Sequence, residues 1–340
     1  MRQLTGNEIY YRRVLTALGA GLLFFFLFLG AISFAVAGMS ILLDFLPIPA
    51  LAANVIGQLV YGALYLAAFM CPVPIMRGLM RSAKLPWQPM RSDVRVSPFL
   101  PLIVVGGIVL IWSQAYLNSA LVSLFSYNDL FDSMLPATDD SMSGIDIVLT
   151  FLVTALVPAF CEEFLFRGAI LTNLLPFGRG TAILVSALAF SLMHQNIGQI
   201  LYAFGAGILL GWIYEKTGSI WNCVILHLMN NFFSVIETVL DQRFGTQTDG
   251  AVTLIFEGVF TVLGIAAIAF LTVKASEKDH FREGAFGRSL PVSDDYAACP
   301  VAPHRAVRLL IASPMGIFLI ASALVALAML GMLLLGGLLI

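Results

Sequence analysis

Ile147-Val148-Leu149-Thr150-Phe151-Leu152-Val153-Thr154-Ala155-Leu156-Val157-Pro158-Ala159-Phe160-Cys161-Glu162-Glu163-Phe164-Leu165-Phe166-Arg167 is the stretch whose reading decides the fold. Its apolar part is about long enough to cross a bilayer as a helix. It ends on two adjacent carboxylates and a guanidinium. A charge at the centre of a membrane helix costs roughly 2.5 to 3.5 kcal/mol on insertion scales, so such residues mark a functional site by default. Glu163 and Arg167 are spaced i,i+4 with the carboxylate first, the favourable order for a helical ion pair. Glu162 lies about 100° around the helix and is left over. A plainer alternative is a polar network at a helix end, with Arg167 reaching the interface.

The rest of the chain agrees with a membrane setting. Of 340 residues, 59% are hydrophobic and 11% charged, and the mean hydropathy is +0.93. The fold class is all-α, a polytopic transmembrane helical bundle. Long unbroken apolar runs exclude an outer-membrane barrel. The net charge of -2 and the absence of a basic patch speak against nucleic acid as a partner. Cys71, Cys161, Cys223 and Cys299 show no metal-knuckle spacing and read as free thiols.

Nine spans are expected, near 14–43, 50–70, 99–124, 146–167, 181–195, 199–214, 219–239, 251–273 and 310–339. The first is too long for a signal peptide, although Ala35-Val36-Ala37 resembles a cleavage site. Alternating the spans sorts the basic residues. Arg2, Arg12, Arg13, Arg77, Arg81, Lys84, Arg91, Arg95, Arg167, Arg179, Lys216, Lys274, Lys278, Arg282, Arg288, Arg305 and Arg308 fall on one side, 17 of the 18. Arg243 falls on the other, where Asp129, Asp132, Asp139 and Asp140 gather. The positive-inside rule puts the N-terminus in the cytoplasm and the C-terminus outside, in a multi-pass protein of the cytoplasmic membrane. Residues 275–308 read as a cytoplasmic linker.

Other strongly polar groups in apolar segments are the partners to look for. His194 and His227 qualify; His280 and His304 lie in the linker. Asn231 follows His227 by four residues and shares its helix face. Singly, each histidine reads more readily as a satisfied core residue, and Asn231 as interhelical glue. Together, three successive spans supply an acid, a base and donors. At 1.5 Å per residue, Glu162 and His227 sit roughly 9 to 12 Å below the cytoplasmic face and His194 nearer 20 Å, a mismatch in depth. A Cys223–His227 or Cys161-based nucleophile is the lesser alternative to small packing residues.

Glu162-Glu163-xxx-Arg167, Phe190-xxx-His194 and His227-xxx-Asn231, in this order, resemble the CPBP intramembrane proteases, the group of the CAAX prenyl endopeptidases and the bacteriocin-processing or immunity proteins. The resemblance covers roughly residues 146–240. It implies an integral-membrane endopeptidase. Glu162 and His194 would activate water, His227 and Asn231 would stabilise the oxyanion, and Glu163 and Arg167 would support the helix that carries the base. A carboxylate in a low-dielectric pocket can serve as a general base, and a histidine and an amide one turn apart can donate to one developing charge. Glu162, His194 and His227 are also a zinc-type donor set, but no HExxH is present, and no obligatory metal is expected. The implied partner is a peptide or protein substrate reached from the cytoplasmic side or the membrane, besides the lipid bilayer itself. The layout is then spans one to three in 1–145, the catalytic core in 146–240, span eight in 241–274, the linker in 275–308 and a last span in 309–340. Two other readings stand beside the peptidase: a catalytically silent immunity or scaffold protein, and a proton- or metal-coupled transporter. The missing internal repeat argues against the transporter.

Overall fold

The computed structural model describes residues 4–90, 96–123, 143–244, 255, 258–270, 273, 299 and 301–336. Every regular element among them is a helix. In chain order these are α1 (Gly6–Asp44), α2 (Ala50–Met70), α3 (Pro72–Ser82), α4 (Leu100–Ser123), α5 (Gly144–Phe177), α6 (Arg179–Leu192), α7 (Ile197–Thr217), α8 (Ile220–Phe244), α9 (Gly258–Phe270), α10 (Pro303–Ile311) and α11 (Pro314–Gly336). Six spans among the described residues are long and apolar enough to cross a membrane, with α2 and α3 counted as one; α6 and α9 are apolar but shorter. The protein is an all-α integral membrane bundle, and the expected count of nine is not reached on these residues. The acidic segment 129–140 and most of the expected linker lie outside the described residues.

Capping explains two starts. Thr5 and Glu8 form a capping box at α1, and Ser143 and Asp146 form another at α5. Helix α5 departs most from expectation. It does not end near Arg167 but runs on to Phe177, with two π-helical segments, Phe151–Leu156 and Phe164–Leu171, flanking the turn that carries Glu162 and Glu163. Each π turn leaves carbonyls without the usual partner, and π-bulges recur at functional sites. Here side chains take them up: Ser186 Oγ donates to Phe166 O at 2.8 Å and Thr172 Oγ1 to Arg167 O at 2.8 Å.

Helices α5 and α6 form an antiparallel hairpin about Gly178, whose φ of 127° suits glycine. Glu162 lies sixteen residues before that glycine and His194 sixteen after it. At 1.5 Å per residue both stand about 24 Å from the turn, which removes the expected mismatch in depth. His194 is not in mid-span, because α6 ends at Leu192. Met193 to Asn196 make an irregular turn inside the bundle, with Gln195 at φ 53°. Such backbone is tolerated at membrane depth where it lines a cavity. Helix α7 then begins under an Asn196 cap and ends at Gly218 in the left-handed conformation.

One end of the bundle gathers the basic chain segments. The rings of Tyr10 and Tyr11 each lie 4.9 Å from that of Phe177. Arg305 pairs with Glu8 at 2.6 Å, Arg179 with Glu215 at 3.1 Å, and the Cys299 N–H donates to Pro176 O at 2.9 Å. The end of the expected linker is therefore docked, and 303–311 is helix instead of solvated chain. At the other end Asn54 donates to Asp146 at 2.6 Å. Helix α11 packs along α1, where a Cβ on Gly19 would meet Met315 N at 2.0 Å, and it contributes nothing to the site's cavities.

Candidate active site

Helices α5, α6, α7 and α8 enclose a cavity of about 520 Å³, and α2 and α4 complete its wall. Glu162, His194, His227 and Asn231 all line it. The structure thus brings together all four residues singled out for chemistry. Glu163 and Arg167 lie directly behind them, both fully buried.

The network starts at Arg167. It donates to Glu163 Oε1 at 2.8 Å and to Gly207 O at 3.2 Å, and its guanidinium stacks 4.5 Å over the Phe190 ring. Gly207 allows this approach: a Cβ there would meet Ala187 Cα at 2.9 Å. A helix-end network does not fit, since Arg167 is fully buried and α5 continues ten residues past it, to Phe177. Glu163 Oε1 also meets His227 Nδ1 at 2.9 Å. A carboxylate already engaged by a guanidinium is an acceptor, so Nδ1 carries the proton. Glu163 therefore orients a histidine of the candidate site, in contact beyond its own helix.

His227 Nε2 then lies 3.8 Å from Glu162 Oε2. Glu162 is not left over, as its position on the helix suggested. Its Oε1 accepts from the Tyr65 hydroxyl of α2, and its Oε2 is buried without a hydrogen-bond partner among the described residues. Tyr65 is held in turn by stacking on Phe69 at 4.6 Å, which meets Phe25 edge-on at 4.8 Å. Tyr61, one turn before Tyr65, lines the same wall. Sequence reasoning missed both; two phenols spaced i,i+4 in an apolar span were the available signal.

His194 Nδ1 sits 2.9 Å from Phe190 O. A carbonyl only accepts, so Nδ1 donates and Nε2 is the ring's acceptor in the neutral form. Asn231 Nδ2 donates to Thr154 O at 3.4 Å, a carbonyl of the first π segment, and its Oδ1 accepts from Asn230 at 3.3 Å. A second, largely apolar cavity of about 560 Å³ between α1 and α2 also reaches Glu162 and His194. Cys161 and Cys223 are free thiols, fully buried and outside the cavity wall, and Cys223 Sγ is spent on Leu210 O at 3.2 Å.

As placed, Glu162, His194 and His227 do not draw together as a three-donor metal site, and no such cluster of His, Cys, Asp and Glu occurs among the described residues. One oxygen of Glu162 is occupied by Tyr65 and one nitrogen of His227 by Glu163, which leaves a single donor atom on each.

Residues 144–233 match the family described as type II CAAX prenyl endopeptidase Rce1-like. A Bacillus subtilis (strain 168) protein named "Putative membrane peptidase YdiL" is 26% identical over 132 residues, which cover 36% of this chain and 53% of that protein. The aligned part is thus about half the length of that relative. No solved structure matches the chain. The core built by residues 144–233 is thus similar to CAAX-protease-type membrane peptidases, on the Rce1-like side.

Proposed function

We propose that the chain is an intramembrane endopeptidase that hydrolyses a peptide bond with a water activated by Glu162 and His194. The observation that carries this reading is Glu162 Oε2. It is a buried carboxylate oxygen without a hydrogen-bond partner among the described residues, facing His227 Nε2 at 3.8 Å on the wall of a cavity. An orphaned buried acceptor costs stability; a water donating to it would offset that cost and would stand where Oε2 can take its proton. Tyr65 holds the other oxygen, so only Oε2 is offered to the water. His194, an acceptor at Nε2, is the second group able to take the proton. His227 and Asn231 supply donors to the tetrahedral oxyanion. With Nδ1 committed to Glu163, Nε2 is the His227 nitrogen that faces Glu162 and the reacting centre. The reading needs no metal. The cytoplasmic placement of the N-terminus is part of the same proposal, from the sorting of basic residues.

The transporter reading is disfavoured because, among the described residues, the ionisable groups of the cavity gather at its floor and are not strung along it. The test is Glu162→Gln in purified protein. Proteolysis should fall to background while insertion and thermal unfolding stay as in the wild type. Cleavage at a near-normal rate would sink the assignment.

A further inference from the structure

Exposure along the cavity wall has a direction. On α5 it runs from buried Glu162 and Pro158 to exposed Thr154 and half-buried Thr150. Along α8 it runs from buried His227 through half-buried Asn231 to exposed Ser234 and Thr238. On α7 it runs from buried Leu210 and Ala206 to half-buried Tyr202 and Gln199. All three gradients point the same way, away from the turns at Gly178 and Gly218. The cavity therefore has its floor at the catalytic residues and its mouth at Thr150, Gln199 and Thr238. From Glu162 to Thr150 is twelve residues of helix, roughly 18 Å. Neutral hydroxyls and amides line that mouth, as suits a wet channel.

Beyond the floor, about 24 Å further along α5 and α6, is the end of the bundle that holds Arg179, Lys216 and Arg305. Asp146 stands at the mouth end, bound to Asn54. Approach from the cytoplasm and a cytoplasmic N-terminus cannot both hold, because the mouth and the basic ends are on opposite sides. Juxtamembrane Lys and Arg set orientation, and among the described residues Arg179, Lys216 and Arg305 gather at the end opposite the mouth.

We propose that the cavity opens on the non-cytoplasmic face of the membrane. Its substrate class, which rests on the peptidase reading, is then a peptide segment already exported or exposed on that face, and not a cytoplasmic C-terminus.

The side is tested without any substrate. In a chain carrying Cys71→Ser and Cys299→Ser, the variants Ser234→Cys, Thr238→Cys and Lys216→Cys are treated with a membrane-impermeant maleimide, in intact cells and in inside-out vesicles. Ser234→Cys and Thr238→Cys should label in intact cells and Lys216→Cys only in vesicles. Two mouth positions guard against one variant failing to insert. Labelling of both mouth positions only in vesicles, labelling from neither side, or labelling of Lys216→Cys in intact cells each overturns the proposal. The substrate class is tested separately by comparing new peptide termini in cells expressing wild type or Glu162→Gln. Termini in segments outside the cytoplasm support it, and termini confined to cytoplasmic segments overturn it. No difference at all removes the peptidase reading and the substrate class with it, while the maleimide result still decides the side.

Discussion

A single phenol decides which oxygen of Glu162 is left for chemistry. Tyr65 binds Oε1 and leaves Oε2 facing His227. A hydrogen bond to a charged group contributes about 1.5 to 3 kcal/mol. Tyr65→Phe keeps the ring on Phe69 and removes only that bond, so kcat should fall about 10- to 100-fold with little change in KM or unfolding temperature. Steady-state kinetics and a melting curve on one preparation check this. Asn231 poses the opposite question, since its amide already touches Thr154 O at a long 3.4 Å. As an oxyanion donor it should cost roughly 100-fold in kcat when replaced by Ala, with KM nearly unchanged. As packing glue it should cost about 0.6 kcal/mol of stability and little activity. Measuring both on Asn231→Ala separates the two, and the first outcome is expected. Glu162, His194, His227 and Asn231 were legible in the sequence because charge and amide groups are conspicuous in apolar spans. Tyr65 was not, because a tyrosine in a membrane helix is ordinary and nothing along the chain says that α2 packs beside α5.

At the level of elements, the hairpin of α5 and α6 sets the register between base and histidine. Hydropathy found both helices but ended α5 at Arg167, because a buried arginine looks like a boundary when its partners are unseen. Its charge is absorbed by Glu163, the Gly207 carbonyl and the Phe190 ring, and two of those three come from later helices. The π segments were equally illegible, since two of the carbonyls they free are met by Ser186 and Asn231 from elsewhere in the fold. One alanine inserted after Gly180 would turn the rest of α6 by about 100° and advance it 1.5 Å. Cleavage should drop by more than about 100-fold, in line with the cost of misplacing a catalytic group by about an ångström. The same insertion after exposed Lys84 should leave it within a few fold. A peptide-release assay on the two proteins, with expression levels matched, is the check.

On the scale of the whole molecule, the last helix belongs to the scaffold. Gly19 lets α1 meet the Met315 backbone, whereas nothing lies within 4 Å of a Cβ at Gly30 on the same helix. Gly19→Leu should therefore destabilise the protein by about 1 to 3 kcal/mol or more, in the range of overpacking, and Gly30→Leu hardly at all. Melting in detergent distinguishes them, and equal melting temperatures would count against the packing role of α11. The sequence showed α11 as an apolar span but not its berth, which depends on one glycine some 300 residues earlier.

That distance has a consequence for how the protein is made. Glu8, buried in the finished fold, is paired with Arg305, 297 residues further along the chain. At about 5 to 20 residues per second, a ribosome needs roughly 15 to 60 s to deliver the second partner after the first. Throughout that interval the nascent α1 holds an acid without its counter-ion and a bare strip of backbone at Gly19. The first helix is thus the part of the fold that waits longest for its partners.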